Sequence, residues 1–427
     1  MPLPDLTALS GPIGRATART SVVLGLRLLV QTSTLLLVAR LLGPQQFGAF
    51  AGAAALAVVL GTLSTFGMHF VLLEEVSRDP AQRHEVLRYA VPTTLLLGSV
   101  LLVTYLLISP LVLAGAGIGL LALVAIGGTE MVLQPLFGLP TTEHWARGRV
   151  ARSQLLTILP LAVRLLAACT VFLSHPADPL KSYVYGYFFA SLTALFIATL
   201  SMPAPWPALR CWRLPSRGEL RHAGGYAALA ITGTGPAELD KTLATNLLPL
   251  ATAGLYAAGA RIIGAATLPV IAMMLSALPR LFQEGQHQPQ RTAHLLRFLF
   301  ICALAYSVGL AALLWSFAPV FLWLFGPNYR GLPHIIHWLC LAIPGMALRM
   351  AAGSVLMALG RPWIRVGFEL TGLVILVVTA MIFIKFLGAI GIPLALTFSE
   401  WTMALLGWGS IITNLKHKQL GERLERP

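Results

Sequence analysis

Six basic residues lie inside the long apolar stretches of this chain: Arg27, Arg40, Arg164, Lys241, Arg261 and Arg349. Fixed positive charge in apolar surroundings is suited to holding an anion. Arginine fits phosphate best, because its planar fork donates two parallel hydrogen bonds. An arginine at the centre of a bilayer costs about 2.5–3.5 kcal/mol, so six facing hydrocarbon would cost on the order of 15–20 kcal/mol. Most must therefore face the interior. Arg27 lies in the inner third of its stretch, Arg164 near the middle, and Lys241 from the centre outward. Arg261 lies in the outer third and Arg349 in the inner half. These five form the expected cationic binding set for an anionic substrate. Arg40, at the outer end of its stretch, is free to snorkel to the interface and is read as structural.

The competing arrangement is internal pairing. Glu130, Asp240, Glu369 and Glu400 also lie in apolar stretches. Four acids against six bases leave two positive charges uncompensated. Asp240 and Lys241 are neighbours about 100° apart on a helix, a spacing that does not assure a pair. Asp240 and Glu400 are candidates for coupling transport to H+ or Na+. A Na+ site would need further oxygens, and Glu369, Thr371 and Thr397 do not match the depth of Asp240 well. No catalytic residue, metal site or cofactor is assigned. The chain has no Gly-rich nucleotide loop, nucleophile elbow or metal-ligand spacing. Cys169, Cys211, Cys302 and Cys340 are scattered and read as packing residues. His334 and His337 share one helical face without further ligands, as interfacial polar packing does.

The elements that carry these charges must span a membrane. Of the 427 residues, 57% are hydrophobic and 11% charged, where a soluble domain has about a quarter charged. Apolar stretches fall at about 21–42, 47–73, 89–109, 112–138, 153–173, 182–203, 223–250, 253–279, 294–325, 333–358, 364–385 and 390–414, each long enough to cross a bilayer. Pro319 makes a kink possible near the outer end of the ninth. The start of the chain lacks the pattern of a secretory signal, so the first apolar run reads as the first span.

Twenty-one basic residues fall at alternate ends of these spans, from Arg15 and Arg19 through Arg78, Arg147, Arg210, Arg280 and Arg361 to Lys416 and Arg426. The opposite loops hold Lys181, Arg330 and Lys385. The positive-inside rule puts the first group, and both termini, in the cytoplasm. Most tryptophans lie near span ends, as interface anchors do. The outer loops are short, the longest being about eight residues around Ser174 to Lys181. A membrane-bound glycosyltransferase, ligase or polymerase would want an acidic catalytic pair or an extended outer loop, so the chain reads as a non-enzyme.

The expected organisation is a first lobe over 1–203, a basic linker over 204–222 and a second lobe over 223–427. The linker interleaves Trp206 and Trp212 with Arg210, Arg213, Arg217 and Arg221. On an inner leaflet its expected partners are lipid head groups rather than nucleic acid. The lobes repeat. Leu41-Leu42-Gly43-Pro44-Gln45-Gln46-Phe47-Gly48 aligns without a gap on Leu247-Leu248-Pro249-Leu250-Ala251-Thr252-Ala253-Gly254, and a small-residue run follows each. Six spans per repeat insert in the same orientation, as parallel repeats around a central cleft do.

Ala39-Arg40-Leu41-Leu42-Gly43-Pro44-Gln45-Gln46-Phe47-Gly48 resembles the signature of bacterial polysaccharide and O-antigen flippases, members of the multidrug/oligosaccharidyl-lipid/polysaccharide exporter superfamily. Asp240-Lys241 with Gly254-Leu255-Tyr256-Ala257-Ala258-Gly259-Ala260-Arg261 and Leu278-Pro279 is a second match. Leu324-Phe325-Gly326-Pro327-Asn328-Tyr329, Leu359-Gly360-Arg361 and Gly388-Ala389-Ile390-Gly391 are a third. The resemblance implies an all-α polytopic transporter of twelve helices in two six-helix lobes. It implies alternating access that moves an undecaprenyl-pyrophosphate-linked oligosaccharide to the outer leaflet of a bacterial inner membrane. Polysaccharide polymerase and other assembly proteins are the implied partners, beside membrane lipids. A multidrug or toxin exporter of the same superfamily, or a non-transporting scaffold of a polysaccharide assembly complex, is the alternative.

Overall fold

The computed structural model describes residues 12–267, 269, 270, 273 and 289–424. Leu278, Pro279 and Arg280 lie outside the described residues, as do the side chains of Arg15, Arg19, Arg291, Lys416, Lys418, Arg423 and Arg426. The described residues are helical, with no strand among them. In chain order the helices are α1 (Pro12–Gly61), α2 (Met68–Arg78), α3 (Arg83–Val112), α4 (Leu120–Gly128), α5 (Gln134–Ala146), α6 (Val150–Ser174) and α7 (Pro179–Leu200). They continue as α8 (Arg217–Leu247), α9 (Leu250–Ala266), α10 (Pro289–Phe325), α11 (Leu332–Cys340), α12 (Ile343–Ala358), α13 (Pro362–Leu387) and α14 (Gly391–Leu424).

Among the described residues seven runs are long and apolar enough alone to cross a membrane, or eight if α11 and α12, bent by 46°, form one span. The remaining passes fall short for physical reasons. One run takes in both halves of α1, which break at Gly43, and another joins α13 to α14. Helix α9 is only 17 residues long, and α8 carries Glu238, Asp240 and Lys241.

Two stretches differ from expectation. The second apolar stretch is not one helix. It ends at Gly61, turns, and resumes at Met68, because Phe66 (φ 46°) and Gly67 (φ 76°) take left-handed backbone. The fourth starts at Leu120 rather than near 112 and runs on to Ala146, because the chain turns at Leu113–Ala116 and passes through left-handed Gly117 at φ 64°. Glu143 and His144 thereby become buried helical residues. Helix α10 continues through Pro319 to Phe325.

The chain forms two compact units, Met1–Leu42 with Ala53–Ile231, and Gly43–Gly52 with Thr232–Pro427. In the first, α2, α3 and α5 share a core of Met68, Leu72, Leu87, Ala90 and Leu139. The stretch after α7 is strapped to this core: Arg83 donates to the carbonyls of Ala204 and Pro205, and Arg88 to that of Cys211. Trp206 and Trp212 pack against it, so the linker aromatics serve the protein's own packing. The second unit centres on Ala351, Leu356, Phe368, Met403 and Trp408. There the two aligned repeat segments touch each other. A Cβ on Gly48 would lie 2.7 Å from the backbone nitrogen of Gly254, and one on Gly254 would lie 1.8 Å from the carbonyl oxygen of Pro44. Only two glycines allow that approach.

Candidate cargo and coupling sites

In the first unit two intramembrane charges, Glu130 and Arg164, meet at a break in regular helix. Between α4 and α5 the segment Thr129–Leu133 forms one π-helical turn. It is gripped from both sides, since a Cβ on Gly61 would lie 2.3 Å from the carbonyl oxygen of Glu130 and one on Gly98 2.3 Å from that of Met131. Single π turns recur at functional positions. Here the turn presents Glu130 to α6 and α7. Arg164 Nη2 lies 3.4 Å from Glu130 Oε1, and the Tyr187 hydroxyl donates to the same oxygen. Arg164 also donates to Ser191 Oγ at 2.9 Å, with its guanidinium 3.8 Å above the Tyr187 ring. The Arg164 and Glu130 side chains are buried together, so each offsets the desolvation cost of the other.

In the second unit the charges form two clusters. Lys241 Nζ lies 3.2 Å from Asp240 Oδ1 and 3.4 Å from Glu238 Oε2, and it also donates to the carbonyl of Ala237. The adjacent Asp240 and Lys241 do pair. Helical side chains lean toward the N-terminus, and the long lysine stem folds back over its own preceding turn. Asp240 Oδ2 accepts from the Tyr256 hydroxyl at 2.6 Å, so both its oxygens are engaged. Glu238 Oε2 also lies 3.5 Å from Arg261 Nη2.

Arg349 is the centre of the other cluster. Its Nε donates to Glu400 Oε2 at 2.6 Å, and its Nη1 lies 3.6 Å from Glu369 Oε1. Glu369 is held in turn by Arg365 at 3.0 Å. Two buried oxygens of this cluster, Glu369 Oε2 and Glu400 Oε1, have no hydrogen-bond partner among the described residues. Thr371 and Thr397 are turned to the carbonyls of Gly367 and Pro393 in their own helices. Among the described residues no three His, Cys, Asp or Glu side chains gather in a metal-ligating arrangement.

The family model described as "Polysaccharide biosynthesis protein" matches residues 13–284. The chain belongs to this family. No curated protein matches it by sequence. Among solved structures it is similar to the lipid II flippase MurJ in an inward closed conformation, with TM-score 0.73 and 13% identity over 92% of this chain and 87% of that one. It is also similar to an inward-facing multidrug resistance MATE family transporter of the MOP superfamily, with TM-score 0.67 and 16% identity over 92% of this chain and 95% of that one. A MOP superfamily transporter from Pyrococcus furiosus gives TM-score 0.65 and 16% identity over 97% of this chain and 99% of that one. These likenesses establish a shared fold.

For this family member the five expected binding residues fall into two groups. Arg27 is exposed on α1, and the Arg261 side chain keeps 37% of its surface open. Arg164, Lys241 and Arg349 are buried against acids. Arg27 and Arg164 belong to the first unit, the other three to the second. Arg40 is exposed. Glu238 is an acid that the four-acid tally leaves out, although its spacing three residues before Lys241 is that of a helical ion pair. Arg365 is counted with the cytoplasmic end of its helix but reaches Glu369 one turn on. Ser191, Tyr187 and Tyr256 carried no pattern that marked them as partners. The four cysteines are free thiols. His337 stacks on Trp315 at 4.4 Å, and Trp338 Nε1 donates to His334 at 3.4 Å.

Proposed function

We propose that the protein carries a lipid-linked oligosaccharide from the inner to the outer leaflet of a bacterial inner membrane, with both termini in the cytoplasm, by alternating access. The observation that carries this reading is the family match over residues 13–284 on a chain whose fold is that of membrane transporters. Its cargo joins a hydrophilic glycan to a polyprenyl tail through an anionic pyrophosphate, and basic residues inside spanning helices suit that anion. Arg27 and Arg261 are the accessible cations. Arg164, Lys241 and Arg349 take part by exchange, a cargo phosphate displacing Glu130, Asp240 with Glu238, or Glu400 with Glu369. H+ is the coupling ion that fits best, and Glu400 rather than Asp240 is its acceptor. Asp240 has both oxygens engaged, whereas Glu400 Oε1 is buried with no partner among the described residues. Polysaccharide polymerase and other assembly proteins are the partners consistent with this role.

Deleting the gene is expected to stop one surface polysaccharide and to accumulate its lipid-linked precursor on the cytoplasmic side, measured by leaflet-selective labelling. Normal polysaccharide in the deletion strain would remove the proposal. The fold is shared with multidrug transporters, so an exporter of small toxic compounds is the second reading. Drug hypersensitivity with intact polysaccharide would favour it.

A further inference from the structure

The four arginines of the linker do not share one environment. Arg213 is clamped: its guanidinium lies 2.6 Å from Glu219, 2.8 Å from Glu85 and over the Tyr89 ring. Arg210, Arg217 and Arg221 are exposed, and none has an ion pair or hydrogen bond among the described residues.

Helix α8 explains the division. At 100° per residue, Glu219, His222, Ala223 and Tyr226 fall on one side of its first turns. Ala223 is fully buried there, and His222 and Tyr226 reach Glu74 at 2.9 and 3.0 Å. Arg217, Leu220 and Arg221 fall on the opposite side, turned away from Glu74 and α2. Immediately before the helix, Leu209 and Leu214 are 74% and 67% exposed on either side of the clamp. Cations at a helix N-terminus oppose the helix dipole, so local helix stability does not account for Arg217 and Arg221. With α8 as the seventh pass of the proposed topology, these residues sit at head-group depth. The positive-inside distribution puts them on the cytoplasmic leaflet, where anionic lipids are concentrated.

We propose that Arg210, Arg217 and Arg221, with Leu209 and Leu214 as apolar anchors, form a docking strip for the head groups of anionic phospholipids. The three arginines supply the charge complement to lipid phosphate. The leucines enter the acyl boundary beside it. The Arg213 clamp holds the strip in place without contacting lipid.

The test uses the full-length protein in a mild detergent, titrated with phosphatidylglycerol or phosphatidylcholine of the same chains and read by native mass spectrometry. Each arginine near an anionic surface adds roughly fivefold at low salt. The wild type is expected to prefer phosphatidylglycerol, and R210Q/R217Q/R221Q to lose that preference by roughly tenfold or more. The matching triple lysine variant keeps it, which separates charge from misfolding. L209S/L214S weakens both lipids alike, and R213Q leaves the preference intact while lowering the melting temperature. Unchanged preference in the triple glutamine variant, or an equal loss in R213Q, would overturn the proposal. Displacement of phosphatidylglycerol by inorganic phosphate at equal concentration would reassign the strip to a soluble anion. Displacement by an acidic peptide would reassign it to a protein partner.

Discussion

Arg349 serves two acids at once, and that determines what its removal does. Taking away one partner of a buried ion pair costs about 3–5 kcal/mol, because the remaining charge is stranded. Arg349→Met strands Glu400, whose other oxygen has no partner among the described residues, whereas Glu400→Gln leaves Arg349 the company of Glu369. Arg349→Met is therefore expected to destabilise more than Glu400→Gln, and the double variant less than the sum of the two. Chemical denaturation of the four proteins in detergent measures this coupling. Arg27 is the contrasting case. It is exposed, so Arg27→Gln should weaken transport while the melting temperature stays within about a degree or two, as for surface substitutions of small stability effect. Arg164→Gln should lower both, by stranding Glu130. Full transport in the double variant would remove these residues from the cargo path. The identities of these charges were legible in the sequence, because ionised groups stand out in apolar runs. Their partners were less so. Pairing in three dimensions depends on α4, α6 and α7 converging on Glu130, and no spacing along the chain encodes that.

The break at Gly43-Pro44 and the contact between Gly48 and Gly254 belong to the scale of helices. The alignment of the two repeat segments marked these residues, but it gave no sign that the segments would pack on each other. Nor did hydropathy reveal the turn at 62–67, since Leu63, Phe66 and Met68 are as apolar as a helix interior requires. Positive φ at Phe66 and Gly67 left no trace in periodicity. A methyl group at Gly48 or Gly254 has to displace main chain rather than a side chain. Gly254→Ala is thus expected to cut the yield of folded protein sharply, whereas Gly264→Ala in the same helix, with none of the described residues within 4 Å of the added carbon, should be neutral or slightly stabilising. Size-exclusion profiles and melting temperatures separate the two outcomes. The linker clamp has its own signature in pH. Hydrogen bonds from Arg213 hold the Glu219 carboxyl down at about 2, from an ordinary value near 4.5. A carboxyl lowered on folding stabilises fully above its unfolded value and loses that contribution as pH falls toward the folded one. The wild-type melting temperature should consequently drop between about pH 4.5 and 2 more than that of Arg213→Gln, in which the clamp is already gone. Parallel curves would show that the clamp contributes nothing measurable.

At the scale of the whole molecule the question is what drives the cargo outward. A pyrophosphate-linked lipid is anionic and the cytoplasm is electrically negative, so outward movement releases about 2.3 kcal/mol per charge per 100 mV. Coupling to protons acts differently. In the proposed exchange, Arg349 binds a cargo phosphate only when Glu400 and Glu369 yield it, and a proton on Glu400 helps them yield. Proton and anion thus favour each other's binding at this cluster, and a proton carried outward with the cargo moves against an inward proton gradient. The membrane potential, not the pH gradient, should therefore supply most of the driving force. In proteoliposomes holding a polyprenyl-pyrophosphate-linked sugar, a valinomycin-imposed potential, negative on the side the cargo leaves, is expected to accelerate flipping several-fold. A pH gradient alone, acidic on the side the cargo reaches, should slow flipping, because a proton leaves with the cargo. Glu400→Gln should keep the response to voltage and lose the dependence on bulk pH. If a pH gradient without potential drives flipping, and Glu400→Gln abolishes it, then the proton moves opposite to the cargo. In that case Glu400 takes its proton in the state that has released the anion, and Arg349 cannot be the residue that links the two.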